Sequence, residues 1–170
     1  MDYFTADLHF WHENICQYCN RPWKSVEEMN ASLISLWNNI VTIKDRVYIV
    51  GDFCLGPGSN FDNNCSSILN QLNGYKVLIK GNHDRSVSRM KKVGFPEVYN
   101  DLSLDTDFGR IYLRHAPGPN HEIGVFPNGY DYFLCGHVHN RFTRQGNIIN
   151  VGVDVRDYQP ITLQELLEGE

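Results

Sequence analysis

Metal-binding residue types occur in five short blocks, and each block follows a strand-like run of the sequence. In chain order the blocks are Asp7-Leu8-His9, Gly51-Asp52, Gly81-Asn82-His83-Asp84, His115 and Gly136-His137-Val138-His139. In open α/β sheets the ligand crevice lies outside the carboxyl ends of the strands, so we expect these distant residues to meet at one edge. Because side chains at positions i and i+2 point the same way, the Asp7–His9 and His137–His139 pairs can each serve one locus.

The donor set is too large for one metal ion. Two carboxylates, one amide oxygen and four imidazoles suit two divalent ions that share a bridging group and keep open positions for water and substrate. Mixed imidazole and oxygen donors without a thiolate favour Mn²⁺, Fe²⁺, Zn²⁺ or Ni²⁺ over a soft ion such as Cu(I), and among them we favour Mn²⁺. Two such ions bring +4 and the two aspartates −2, so the site suits an anion. The expected chemistry is hydrolysis of a phosphate ester by in-line attack of a metal-bridging hydroxide.

These blocks resemble the signature of the calcineurin-like metallophosphoesterases, which reads D-x-H, G-D, G-N-H-D/E, H and G-H-x-H. All five parts occur here in the same order. The resemblance implies an α/β (α+β) fold, a four-layer α-β-β-α sandwich with two mixed β-sheets. It also implies that one metal is held by Asp7, His9, Asp52 and His139 and the other by Asp52, Asn82, His115 and His137, with Asp52 bridging.

The same resemblance gives His83 and Asp84 catalytic roles. His83 would face the substrate and either protonate the leaving oxygen or stabilise charge on the phosphoryl oxygens. Asp84 would fix the tautomer of His83 and raise its basicity. The alternative is that both residues only cap the following helix.

Three further residues are candidates for substrate binding, because each could reach the cleft. His12 could do so from a short helix, Arg21 from an overhanging loop and Arg114 from the end of a strand. Asp154 is either a partner of a metal ligand or a surface residue. His121 is expected to be exposed in a loop.

Strand and helix patterns alternate in the first half of the chain, and consecutive strands follow in the second. The predicted strands span 2–6, 46–50, 75–80, 101–106, 110–114, 130–135 and 148–153. The clearest helix begins at Ser25, with Glu28 three residues on as in a capping box, and continues to Ile40. Two more helices are predicted at about 63–72 and about 85–93. Asp107-Phe108-Gly109 predicts a hairpin turn.

Length, charge and cysteine usage narrow the class of protein. A chain of 170 residues with 42% hydrophobic residues suits one catalytic domain spanning 1–170. A net charge of −5 leaves no broad basic face for a long nucleic acid, so we expect a small phosphoester or nucleotide substrate. No apolar run approaches the roughly 20 residues needed to cross a bilayer. Five cysteines without a disulfide-like framework, and no room for a signal peptide, predict a cytoplasmic protein.

We therefore expect a metal-dependent phosphoesterase that favours phosphodiesters over monoesters, because a chain of this length has no capping domain to enclose a small monoester. Two alternatives remain open. One is a metal-dependent nuclease. The other is a non-catalytic interaction scaffold with this fold, as in the retromer subunit.

Overall fold

The computed structural model describes residues 1–56, 60–118 and 127–168, so His121 lies outside the described residues. The elements follow the order β1 (Asp2–Thr5), α1 (Ile15–Tyr18), α2 (Val26–Ile40), β2 (Arg46–Ile49), α3 (Phe61–Gln71), β3 (Tyr75–Ile79), α4 (Val87–Val93), β4 (Glu97–Tyr99), β5 (Asp101–Thr106), β6 (Gly109–Arg114), β7 (Tyr132–Cys135), β8 (Arg144–Gln145), β9 (Ile148–Asn150), β10 (Ile161–Thr162) and α5 (Leu163–Glu168). None of the described helices has the length and apolar character needed to cross a membrane.

The described residues form two mixed sheets of five strands each. Sheet one has the order β10-β1-β2-β3-β4, in which β1 to β4 run parallel and β10 lies antiparallel beside β1. Sheet two has the order β5-β6-β7-β9-β8, in which β6, β7 and β9 are parallel and the two edge strands are antiparallel. The predicted sandwich of two mixed sheets is confirmed.

Alternation along the strands explains how the layers pack. Phe4 and Tyr48 of sheet one stack with ring centroids 5.2 Å apart, and they share a buried cluster with Leu113 of sheet two. The other face of sheet one packs against α2, α3 and α4 in a second cluster that includes Leu33 and Met90. The parallel strands of sheet one are therefore covered on both faces, as parallel strands require.

The outer face of sheet two is covered differently. Phe133 and Cys135 alternate with the inward-facing residues of β7 and form a smaller cluster with Ile148, Tyr112 and Phe142. This cluster contains no residue of a described helix. Strand β7 is nevertheless well anchored, because Leu134 on its opposite face belongs to the core between the sheets.

The sequence correctly predicted the start of α2 and the hairpin between β5 and β6. The hydroxyl oxygen of Ser25 accepts a hydrogen bond from the backbone N–H of Glu28, so α2 begins at the predicted cap. The Glu28 carboxylate accepts from the N–H of Lys24, one residue before the cap, and the capping box is thus shifted by one residue. The predicted hairpin forms, with Thr106 paired to Gly109 across the turn. The short elements β4, β8, β10 and α5 were not predicted, and the short helix expected at His12 instead begins at Ile15, so His12 precedes it.

Candidate metal centre

Three of the five blocks have an unusual backbone conformation where the chain leaves its strand. Five of the predicted ligands have φ angles between 47° and 72°, in the left-handed region, namely Asp7, His9, Asp52, His137 and His139. Residues other than glycine adopt this region at a cost, and such residues cluster at functional sites. Here the left-handed residues redirect the chain as it leaves β1, β2 and β7, in the first, second and fifth blocks.

The first group of donors consists of Asp7, His9 and His139, whose candidate ligand atoms all lie within 4.8 Å of one another. The Asp7 carboxylate accepts the backbone N–H of His137, with its two oxygens 3.0 and 2.8 Å from that nitrogen. The rings of His9 and His139 stack with centroids 5.2 Å apart. We call this set, which comes from β1 and the loop after β7, the first half of the centre.

The second group consists of Asp52, His115 and His137, which also have their ligand atoms within 4.8 Å of one another. Nε2 of His115 lies 3.0 Å from Oδ1 of Asn82 and 3.2 Å from Oδ2 of Asp52. On the other side of the ring, Nδ1 of His115 lies 2.8 Å from the carbonyl oxygen of Val50. A proton on Nδ1 would donate to that carbonyl and leave Nε2 facing the oxygen donors. We call Asp52, Asn82, His115 and His137 the second half.

Asp52 of the second half also faces the first half. Its Oδ2 atom is 3.6 Å from Nε2 of His9 in the first half and 3.2 Å from Nε2 of His115 in the second. Its Oδ1 atom accepts the backbone N–H of His83 at 2.9 Å. One carboxylate oxygen thus faces imidazoles of both halves, which is the arrangement that a bridging ligand needs.

The electrostatics of the cluster are coupled. Burial raises the pKa of Asp7 to about 6, against the lowering effect of His115 and His139. Burial lowers the pKa of His9 well below its usual range, although Asp52 acts in the opposite direction. For His115 burial also acts to lower the pKa, but the hydrogen bond to Asp52 and the charges of Asp7 and Asp52 raise it to about 9. The charged forms of His115 and of the two aspartates therefore stabilise each other.

The donor chemistry fits divalent metal ions. Both ring nitrogens of His9 are buried, and neither has a hydrogen-bond partner among the described residues. A buried imidazole without partners is costly, and coordination of a metal would satisfy one of its nitrogens. Neutral imidazoles, carboxylates and an amide oxygen are also the donors that Mn²⁺, Fe²⁺, Zn²⁺ and Ni²⁺ accept.

His83 lies at the exposed side of the donor cluster. Its ring centroid is 5.3 Å from that of His9 and 6.3 Å from that of His12, and the residue is exposed, as is Asn82. The predicted role of Asp84 is wrong in its geometry. The buried Asp84 carboxylate accepts the backbone N–H groups of Asp52, Phe53 and Gly81 at 2.8–3.0 Å, so it anchors two of the blocks.

The three candidates for substrate binding have different positions. His12 is half-buried, and its ring centroid lies 5.4 Å from that of His9. Arg114 is exposed, and it lines a cleft of about 500 Å³ together with His115 and His137. The prediction that Arg21 overhangs the cleft is wrong, because its side chain is fully buried and its donors are used inside the protein.

Sequence reasoning missed several neighbours of the site. Lys80 lines the same cleft as Arg114, and Cys19 lies within 4.8 Å of donor atoms of His139 and Asp154. Asp154 is buried, and its Oδ2 atom lies 2.7 Å from Nδ1 of His139, which decides the question left open for this residue. The signal for Lys80 was its position directly before the third block. Cys19 carried no comparable signal.

Comparison with known proteins places the chain in a family. No family model matches it. The uncharacterised protein MJ1445 of Methanocaldococcus jannaschii is 34% identical, over 98% of this chain and 89% of that protein. The gene 66 protein of Mycobacterium phage L5 is also 34% identical, over 89% of this chain and 86% of that protein.

Two solved structures share the fold. The protein of unknown function AQ665 from Aquifex aeolicus superposes with a TM-score of 0.76 at 26% identity, over 100% of this chain and 99% of that chain. An archaeal phosphodiesterase superposes with a TM-score of 0.52 at 15% identity, over 89% and 81% of the two chains. The chain therefore belongs to one family with MJ1445 and the phage L5 gene 66 protein, it shares its fold with the archaeal phosphodiesterase, and its five motif blocks resemble the calcineurin-like metallophosphoesterase signature.

Proposed function

We propose that this protein is a phosphoesterase that uses two divalent metal ions, with Mn²⁺ favoured, to hydrolyse phosphodiesters. One observation carries the proposal: Asp52 places a single carboxylate oxygen 3.6 Å from His9 and 3.2 Å from His115, between two groups of converging donors. One ion would be held by Asp7, His9, Asp52 and His139. The other would be held by Asp52, Asn82, His115 and His137.

Bound divalent ions would supply a hydroxide nucleophile at neutral pH and positive charge for the attacking and leaving oxygens of an in-line displacement. The chain itself supplies the proton and the geometry. His83 is exposed beside the donors. The hydrogen bond from its backbone N–H to Asp52 fixes the position of the backbone that carries the imidazole. We assign it the transfer of a proton to the leaving oxygen, with His12 beside it contacting the leaving group.

The role of Asp84 in this scheme is positional. Because its carboxylate holds the N–H groups of Asp52, Phe53 and Gly81, it fixes the second and third blocks relative to each other. It therefore places the bridging carboxylate of Asp52 and the backbone that leads to Asn82 and His83. The same bonds satisfy a carboxylate that is otherwise cut off from water.

The cleft beside the second half is suited to an anionic substrate that carries a further substituent on the scissile phosphate. Lys80 comes from sheet one and Arg114 from sheet two, so cationic side chains reach the cleft from both sheets. Among the described residues, neither has a carboxylate partner within 4.0 Å. An open cleft of about 500 Å³ leaves space for the second ester substituent of a diester, which is why we favour diesters over monoesters.

The test is a substrate panel run on protein loaded with Mn²⁺. We expect hydrolysis of bis(p-nitrophenyl) phosphate to exceed that of p-nitrophenyl phosphate. His83→Ala should lower kcat by about 10²–10⁴-fold, the usual range for a general acid, and should leave both metals bound. Lys92→Ala, an exposed change on α4, is the matched control.

Other outcomes of the panel identify the alternatives. A loaded protein that is inert on diesters, monoesters and short single-stranded DNA would contradict the proposal and favour a scaffold. Preferred cleavage of DNA, with binding that falls steeply as salt rises, would instead favour a nuclease.

A further inference from the structure

A buried ion pair lies directly beneath the first half of the centre. The side chains of Arg21 and Asp154 are 0% and 1% exposed, although 133 positions separate them in the chain. Nε of Arg21 donates to Oδ1 of Asp154 at 2.8 Å, and Nη2 donates to Oδ2 at 3.0 Å. A buried pair of this kind is costly unless its remaining hydrogen-bonding groups are also used, so the remaining contacts indicate what the pair holds.

The other donors of Arg21 hold the first block. Nη2 also donates to the carbonyl oxygen of Asp7 at 2.7 Å, and Nη1 donates to the carbonyl oxygen of Leu8 at 3.0 Å. These carbonyls belong to the stretch in which Asp7 and His9 have left-handed φ angles of 57° and 52°. The planar guanidinium thus fixes two successive peptides of a strained turn, which the single ammonium of a lysine could not do in the same way.

Asp154 extends the contact to the third donor of this half. Its Oδ2 atom accepts Nδ1–H of His139 at 2.7 Å, which leaves Nε2 of that ring for a metal. Both oxygens of Asp154 are therefore engaged by Arg21 and His139, so the neighbouring cluster of Cys19, His139 and Asp154 is a support for the imidazole rather than a separate metal site.

The hydrogen bonds of the pair to the predicted ligands fall on one side of the centre. They reach the backbone of Asp7 and the ring of His139, and the carbonyl of Leu8 directly precedes His9. The donors of the second half are held by other groups, among them Asp84 and the Val50 carbonyl. Because the pair has no net charge, it can orient ligands without adding charge beside a divalent cation.

We propose that Arg21 and Asp154 are positioning residues that set the metal affinity of the first half without setting that of the second. This inference rests on the proposed function, since it concerns the same two metals. It predicts an asymmetric response, in which damage to the pair weakens one metal ion and spares the other.

The experiment measures metal occupancy directly. Protein loaded with Mn²⁺ is dialysed against a graded chelator series, and the equivalents retained are counted by elemental analysis. Arg21→Lys and Asp154→Asn should lose one equivalent at chelator concentrations that leave two in the wild type, which corresponds to about a 10–100-fold loss of affinity at one site. Arg89→Gln, which breaks the half-exposed pair with Asp62, should retain both.

A second variant keeps the test interpretable if the single substitutions do not fold. Arg21→Met combined with Asp154→Leu removes both charges together, so no buried charge is left unpaired. Circular dichroism and thermal unfolding select the variants that fold. In the folded Arg21→Met/Asp154→Leu variant the ¹⁵N signals of the His139 ring should also show loss of the Nδ1-protonated tautomer, a change that a general loss of stability would not produce.

The outcomes separate this inference from the proposed function. A wild type that binds fewer than two ions would overturn the proposed function. A wild type with two ions, together with folded variants that retain both or lose both in parallel, would overturn only the positioning role of the pair.

Discussion

The two halves of the metal centre are supported in different ways. The first half depends on the side chains of Arg21 and Asp154, which reach it from segments far apart in the chain. The second half depends mainly on contacts to and from the backbone, in which the Asp84 carboxylate holds three backbone N–H groups and the Val50 carbonyl holds the ring of His115. The first half should therefore be sensitive to the loss of these side-chain hydrogen bonds, and the second to displacement of the backbone.

The largest effect is expected at the residue that the two halves share. Asp52→Asn removes the anionic oxygen that faces both His9 and His115, so diester hydrolysis should fall to background and both ions should bind more weakly. Activity and bound Mn²⁺ are measured on the same sample. Retention of two tightly bound ions by this variant would show that Asp52 does not bridge them.

A large loss of stability is expected when Asp84, which supports the second half, is substituted. Asp84→Asn replaces one acceptor oxygen by an NH₂ group facing backbone donors, and each N–H left without an acceptor should cost about 1–3 kcal/mol. Denaturant unfolding of the metal-free protein measures the change. Asp62→Asn, at a half-exposed carboxylate, is the matched control. Equal stabilities of the two variants would contradict the anchoring role of Asp84.

A backbone change should weaken the second half selectively. Gly51 has φ +91°, and a Cβ added there would overlap the imidazole of His115. Gly146 has φ +58°, but a Cβ added there meets nothing within 4 Å. Alanine at either position should add about 1–2 kcal/mol of backbone strain, whereas only Gly51→Ala should lower the affinity for one ion. Loss of metal in both variants would show that strain, rather than displacement of His115, is responsible.

The smallest effect is expected outside both halves. Hydrogen bonds from the Met1 amine and from Thr42 lower the pKa of Asp45 to about 2. Because the pKa is lowered by folding, the stabilisation is present above about pH 4 and is lost as the pH falls toward 2. The stability of Asp45→Asn should therefore depend less on pH in that window, and its metal binding at pH 7 should equal that of the wild type. A change in metal binding would contradict the separation of this region from the centre.

The sequence predicted the candidate metal ligands better than the residues that hold those ligands in place. Asp7, Asp52 and His115 could be found because each follows a strand, and the ends of parallel strands meet at one edge whatever the rest of the chain does. The role of Arg21 could not be found in this way. Its burial depends on Asp154, and nothing local in the Asn20-Arg21-Pro22 segment shows that a carboxylate will lie beneath it.

The errors at Asp84 and in the short elements have related causes. The contact of Asp84 with His83 was expected from the family resemblance, whereas the backbone turns the carboxylate inward to amides of the second block. Strands β8 and β10 have two residues each, so neither carries a measurable alternation, and their pairing depends on neighbours far along the chain. The capping signal at Ser25 succeeded because its partner lies three residues away.

The most direct test of the two-metal account is a titration of metal-free protein with Mn²⁺, in which bound equivalents and hydrolysis of bis(p-nitrophenyl) phosphate are followed together. We expect two ions per chain, with hydrolysis that rises only as the second ion binds. Full activity at one equivalent or fewer, or two bound ions without hydrolysis of any phosphoester, would contradict the account.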